Sequence, residues 1–476
     1  MNKYKKLVMN TGVFAIGTFG SKILLMLLNR LYSHNLDPED SGVKGLIDMM
    51  VLFVQPIFTF ALQEYLIRFG LDKGYDKKQV FSTSAIMTAA GMGAMAVIVP
   101  LLGFIPVLSF MKGYTVLFIV FVTTSSLRML CQQFVRSREL VKLFALDGII
   151  AALTIFLFNV IFVSKLHMNI NGYMLAVILS DLCSAVFLFI MGRLHEYFSP
   201  KSFNTDVAKA MLKFALPLIP TIVLWASTSL SDRLFIANMH SSRHELGSGA
   251  AGIYVYANIV PNLISMVSTI FFQAWNISAI TENDSADRSE FYEKVYSAYE
   301  AMLFIAGAGL MLFIKLATRI LVDDSQYTEY TDVYLYPPML ITAGVFLALD
   351  QFLGGIYSTT KHSRNSMWTA LVAGGVNLVL NYYFIPAWGI QGAALATFMS
   401  YFLCYWVRMI DARYYVPFRF APLKPVVNTG LLFVMSFLII NSVKLCFLWN
   451  LLLFAGIAVY NYKALLTTVQ KLLRRS

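Results

Sequence analysis

A chain of 476 residues that is 58% hydrophobic and 13% charged, with a mean hydropathy of +0.67, is not an ordinary soluble enzyme, because soluble domains carry about 25% charged residues. Its net charge of +11 is spread over short loops between apolar runs, where it sets membrane topology rather than making a nucleic-acid surface. Cys131, Cys183, Cys404 and Cys446 stand singly inside apolar segments, with neither a disulfide framework nor metal-type spacing.

A membrane-crossing helix needs about 20 mainly apolar residues. In chain order, runs at 8–31, 43–67, 80–103, 113–135, 143–164, 171–192, 210–232, 251–279, 295–318, 333–358, 365–384, 389–410, 425–443 and 446–466 predict 14 spans. Their length excludes barrel strands, which are about 10 residues long with alternating polarity. Lys3, Lys5 and Lys6 before the first run resemble a signal peptide. No A-x-A-like cleavage site follows and many further spans do, so this run is read as a retained first helix.

Basic residues favour one set of loops. Counting Arg68, Arg136 and Arg408 among them, 26 of the 37 Lys and Arg residues fall there. Nine, including Lys44, fall on the other set, while Lys22 and Arg128 lie within spans. Asp37-Pro-Glu-Asp40 and Asp323-Asp324 make parts of the poorer side acidic. The bias predicts that both termini are cytoplasmic.

An internal repeat organises the spans. Ile170-Asn-Gly-Tyr-Met-Leu-Ala-Val-Ile-Leu-Ser180 matches Ile390-Gln-Gly-Ala-Ala-Leu-Ala-Thr-Phe-Met-Ser400 with five identities at an offset of 220 residues. Asn29-Arg30-Leu31-Tyr32 resembles Asp232-Arg233-Leu234-Phe235, and Val80-Phe81-Ser82 resembles Val295-Tyr296-Ser297. Each match pairs a span with the sixth one after it, which predicts two halves of equal orientation about an axis along the membrane normal. The predicted fold is an all-α polytopic membrane protein. Its parts are a six-helix lobe at 1–200, a second at 201–415, and two extra helices at 416–476.

Charges inside spans are the candidate functional groups, because an ionised side chain in hydrocarbon requires a cavity or a partner. Lys22 lies about 22 Å into the first span at 1.5 Å per residue. Arg30 stands about 80° away on the same helix at 3.6 residues per turn. With Arg128 and Arg233 they form a candidate cationic cavity, suited to an anion and, through the guanidinium forks, to a diphosphate. Alternatives stay open: Arg30 and Arg233 also fit headgroup anchors, Arg233 a partner of Asp232, Arg128 a snorkelling residue, and Lys22 the partner of an intramembrane acid. Glu64, Asp181 and Asp350 are candidate carriers of a coupling proton or sodium ion, or equally structural partners of those cations. Asp147 lies close enough to the inner interface to be ordinary. Gly12, Gly17 and Gly20 in the first span and Pro217 and Pro220 in the seventh are breakers in corresponding helices, where interrupted helices flank a transporter's site or simply pack closely.

Three stretches carry a family resemblance: Gly17-Thr-Phe-Gly-Ser-Lys22, Leu36-Asp-Pro-Glu-Asp-Ser-Gly42 and Glu64-Tyr-Leu-Ile-Arg-Phe69. Asp232-Arg233-Leu-Phe, Gly252-Ile-Tyr-Val-Tyr-Ala257 and the run from Asn377 and Asn381 through Ile385-Pro386-Ala-Trp-Gly389-Ile-Gln-Gly392 to Ala396-Thr397 and Ser400-Tyr401 extend it. Together they resemble polysaccharide repeat-unit flippases of the multidrug/oligosaccharidyl-lipid/polysaccharide exporter superfamily. The resemblance implies a two-lobed transporter that carries undecaprenyl-diphosphate-linked oligosaccharides from the inner to the outer leaflet by alternating access. It implies that Lys22, Arg30, Arg128 and Arg233, with Arg68 at the inner edge, engage the diphosphate. Asn29 precedes Arg30 where Asp232 precedes Arg233, so the two arginines need not be equivalent. Implied partners are the polyprenyl-diphosphate-linked glycan, membrane lipids, and glycosyltransferases or a polymerase of the same pathway.

No Walker-type phosphate loop occurs, and Gly247-Ser-Gly-Ala-Ala-Gly252 lacks the preceding strand that a dinucleotide site needs. The expectation is a transporter, not an enzyme, with no cofactor beyond a possible ion gradient. Rival readings are a lipid II flippase, for which the same cavity serves, and a cation-coupled multidrug antiporter, which calls for acids and aromatics instead. A non-transporting scaffold for a glycan synthase is the remaining rival.

Overall fold

The computed structural model describes residues 27–72, 74–102, 104–281, 287–360 and 362–473. Among the described residues the regular structure is helical throughout. Nine helices there are long and apolar enough to cross a membrane, together with one bent pair. Helices satisfy every backbone polar group internally, which hydrocarbon demands. The described chain forms two compact units, one ending at Asn238 and the other starting at Met239.

The first unit contains α1 (residues 27–35), α2 (Pro38–Phe58), α3 (Leu62–Leu71), α4 (Lys77–Leu102), α5 (Thr115–Ser137), α6 (Val141–Asn159), α7 (Asn169–Met191), α8 (Thr205–Ala215) and α9 (Ile219–Asn238). Asp37 caps α2 by accepting from the backbone N–H of Asp40 at 2.7 Å, with Pro38 at the start and Glu39 and Asp40 in the first turn. The predicted span 43–67 is two helices. Pro56 removes a backbone donor, α2 stops at Phe58, and Phe60 and Ala61 take positive φ before α3 begins. Gly91 of α4 lies against this break, where a Cβ would stand 1.8 Å from the carbonyl oxygen of Phe58. The predicted span 210–232 is likewise split, into α8 and α9, by a turn at 216–218 between the helices. Pro217 lies in that turn and Pro220 is the second residue of α9. Leu62, Tyr65, Leu66, Phe81, Leu130, Phe134 and Met211 form the core that joins α3, α4, α5 and α8.

The second unit contains α10 (Ser248–Ala257), α11 (Pro261–Thr281), α12 (Arg288–Leu312), α13 (Ile314–Leu321), α14 (Pro337–Thr359), α15 (Ser363–Tyr415), α16 (Leu423–Ile440) and α17 (Cys446–Leu473). α10 and α11 form a pair bent by 51° ahead of Pro261. α15 holds two predicted spans. Gly389, at φ 57° and ψ −136°, breaks its helical path, a conformation glycine adopts without a Cβ penalty. The Cys404 thiol reaches back to the carbonyl of Thr369, and Asn365 donates to Asp411 at 2.9 Å. Such contacts, nearly symmetric about Gly389, show that the halves pack side by side as an antiparallel hairpin. Trp275, Tyr292, Tyr296, Tyr299, Phe346 and Phe352 fill an aromatic core. Asn428 and Asn461 exchange side-chain hydrogen bonds of 3.3 and 2.9 Å between α16 and α17. Phe437, Phe447, Trp449 and Val459 on these two helices are exposed, as a lipid-facing surface requires.

Candidate functional site

Three charged settings occupy the first unit, and each follows from helical spacing. On α5, Ser125, Arg128 and Gln132 fall at positions i, i+3 and i+7 and share one face. Asp181 and Ser184 of α7 share another, and Asp147 of α6 completes the group. Arg128 reaches Asp181 at 2.9 Å and Asp147 at 3.7 Å. Ser125 donates to Asp181, Ser184 donates to Asp147, and Gln132 donates to Asp147 at 3.1 Å. Asp147 is fully buried, whereas 26% of the Arg128 side chain is exposed. The placement of Asp147 at an ordinary interface is therefore corrected: it is a buried acid held by a cation and two neutral donors. Arg128 finds its counter-charges inside its own unit.

The second setting is a pocket of about 730 Å³. α3 is amphipathic: Tyr65, Leu66 and Phe69 face the core, while Gln63, Glu64, Ile67, Arg68 and Leu71 line the pocket. Asp72, then Gln133 and Arg136 of α5 and Phe214 of α8, complete the wall. Glu64, Arg68 and Arg136 are exposed. The Oε1 atom of Gln133 is buried and accepts no hydrogen bond. Two candidates of different expected roles, Glu64 and Arg68, thus share one cavity.

The third setting lies where α1, α2, α7 and α9 meet. Arg233 is half-buried and its Nη1 donates to the carbonyl of Gly45 at 2.7 Å. Next to that carbonyl, Lys44 is buried, pairs with Asp48 at 2.9 Å, and lies over the rings of Tyr32 and Tyr173 at 4.7 and 4.4 Å. Tyr173 donates its hydroxyl to Asp48. Lys44 is therefore not the loop residue that charge counting makes it. Its Asp48 partner, four residues on at the start of an apolar run, was the available signal. Arg30 lies exposed on α1. Lys22, with Gly12, Gly17 and Gly20, falls outside the described residues.

In the second unit, Asp350 of α14 is wholly buried, with its carboxylate beside Arg408 and the Cys404 thiol. Arg408 of α15, counted with the loops by sequence, is 2% exposed. Its Nη1 donates to the backbone carbonyl of Asp350 at 2.8 Å, its Nε to Thr369 Oγ1 at 3.0 Å, and its Nη2 to the carbonyl of Ser366 at 3.3 Å. A buried arginine donating to three neutral acceptors beside a wholly buried acid was not foreseen. The hairpin at Gly389 creates it by folding Arg408 back over Thr369.

Among solved structures, one described as lipid II flippase MurJ in an inward closed conformation superposes with a TM-score of 0.64 at 15% identity, covering 94% of this chain and 98% of that one. An inward-facing multidrug resistance MATE family transporter of the MOP superfamily gives 0.66 at 12% identity, over 83% and 95%. An outward-facing one gives 0.61 at 13%, over 87% and 96%. At such identities the likeness establishes a shared fold, that of multi-pass membrane transporters. A search among curated proteins found no match by sequence. A family model described as "Polysaccharide biosynthesis protein" matches residues 27–332, more than half of the sequence. This chain belongs to that family of polysaccharide biosynthesis proteins.

Proposed function

We propose that the chain is a flippase that moves undecaprenyl-diphosphate-linked oligosaccharide repeat units from the inner to the outer leaflet of the cytoplasmic membrane by alternating access. The carrying observation is the family match over residues 27–332, joined here to a transporter fold. The cargo's diphosphate is assigned to Lys22, Arg30 and Arg233, with Arg68 left to the pocket at the inner edge. Arg128, matched by Asp147 and Asp181, acts instead as the charge balance of its unit. Asp350 is the first candidate for a coupling proton or sodium ion, because a wholly buried carboxylate is costly when ionised. Glu64 and Asp181 follow it. Both termini are assigned to the cytoplasm, and the six-helix lobes to 1–200 and 201–415.

Reconstitution into proteoliposomes with a fluorescent polyprenyl-diphosphate oligosaccharide, read by quencher access to the headgroup, tests the reading. Translocation is expected, with loss of rate in Lys22→Ala combined with Arg233→Ala. Transport of lipid II but not of the oligosaccharide-bearing lipid overturns the cargo assignment. Export of a cationic dye with neither lipid moved overturns the flippase reading.

A further inference from the structure

We propose that the pocket between α3, α5 and α8 is a carbohydrate subsite that holds the neutral, hydroxyl-rich head of the lipid-linked cargo. The proposal rests on the glycan-flippase reading above and adds a place for the sugar.

The chemistry of the wall argues for a polyol rather than a phosphate. Its charged groups are Glu64, Arg68, Asp72 and Arg136, two carboxylates against two guanidiniums, so the pocket has no net charge to favour an anion. A diphosphate site in the same place requires an excess of cations. What the four groups and Gln133 have in common is planarity with paired atoms. Carboxylates offer two acceptors, guanidiniums a fork of donors, and the amide one of each kind. Neighbouring ring hydroxyls, each donor and acceptor at once, match such paired atoms.

Two further features fit a sugar. Phe214, itself partly exposed at 39%, gives the pocket an aromatic wall against which the C–H face of a pyranose can lie. Apolar walls with a few placed polar groups are the usual make-up of small-molecule sites, and a volume of about 730 Å³ lies within their range. The Gln133 Oε1 atom is buried and accepts nothing, and buried acceptors are normally satisfied. A rotation of the Gln133 side chain toward the cavity it lines brings this acceptor to an entering hydroxyl, which supplies the missing donor. On the charge-bias reading, Arg68 and Arg136 belong to the cytoplasmic side, the leaflet in which glycan-bearing lipid is loaded.

Saturation-transfer NMR on the full-length protein in lipid nanodiscs tests this, with chitobiose, lactose and maltose as probes and inorganic diphosphate as counter-probe. Transfer from protein to ring C–H protons of at least one disaccharide is expected. Gln133→Leu should weaken that affinity about tenfold, the effect of one lost hydrogen bond to a buried group. Phe214→Ala should weaken it too, while Phe214→Trp should retain it and so exclude a mere folding defect. Silence of all three sugars with the wild-type protein overturns the subsite, and so does sugar binding untouched by Gln133→Leu and Phe214→Ala. Diphosphate binding lost in Arg68→Gln, with no sugar bound, makes the pocket an anion site and overturns it as well. Sugar bound here without lipid translocation sinks the flippase reading and leaves the subsite standing. Translocation without sugar binding does the reverse.

Discussion

The two units solve the same problem, a charge inside a helical bundle, in opposite ways. In the first, the Arg128 cation meets two carboxylates, Asp147 and Asp181, and three neutral donors support them. In the second, the Arg408 guanidinium donates to two backbone carbonyls and a hydroxyl, and the buried carboxylate of Asp350 lies beside it and the Cys404 thiol. Charge satisfied by charge is a fixed structural element, since removing either side strands the other in a medium of low dielectric. On the function proposed above, the first cluster is support, and the second, through Asp350, is the place of ion coupling.

Three substitutions break or sharpen that contrast. Arg128→Leu leaves two buried carboxylates unpaired and should destabilise the protein by about 3–5 kcal/mol. Thermal unfolding in detergent measures this, and adding Asp181→Leu should recover part of the loss. An unchanged midpoint in Arg128→Leu would mean the cluster does not hold the unit together. Arg408→Met strips the donors from two buried carbonyls and a hydroxyl, with an expected loss of about 1–3 kcal/mol by the same assay. A loss as large as that of Arg128→Leu would erase the distinction between the clusters. Asp350→Asn should move stability least, by less than about 1 kcal/mol, because the amide keeps the side chain's shape and an acceptor for the Cys404 thiol. Its effect should appear as transport that no longer responds to an imposed proton or sodium gradient. Gradient-dependent transport in Asp350→Asn would remove Asp350 from the coupling role, and a large fall in stability would show that its carboxylate is structural after all.

The helices were legible because hydrocarbon-length apolar runs have few other uses. Their interruptions were legible only in part. Pro217 and Pro220 stood out as breakers, and the α8–α9 turn holds Pro217, with Pro220 at the start of α9. By contrast, the left-handed residues Phe60 and Ala61 carry no sequence mark, so α2 and α3 read as one span. The charged residues were harder. Loop counting placed Lys44 and Arg408 outside the bundle, yet Lys44 lies among Tyr32, Tyr173 and Asp48, and Arg408 lies inside the α15 hairpin. Both sit near a span end, where a window of mean hydropathy cannot tell a loop from a buried turn.

Composition and periodicity by themselves determined that this is an all-helical membrane protein, because a backbone in lipid has to satisfy its own hydrogen bonds. The tertiary structure alone decided what each charge does. Asp147, Arg128 and Asp181 lie far apart in sequence and meet only when α5, α6 and α7 pack. Glu64, Gln133 and Phe214 are even more widely separated, and they enclose a pocket only once α3, α5 and α8 pack. Partnership between side chains depends on which helix faces touch, and a hydropathy pattern records how apolar a face is but not which neighbour it meets.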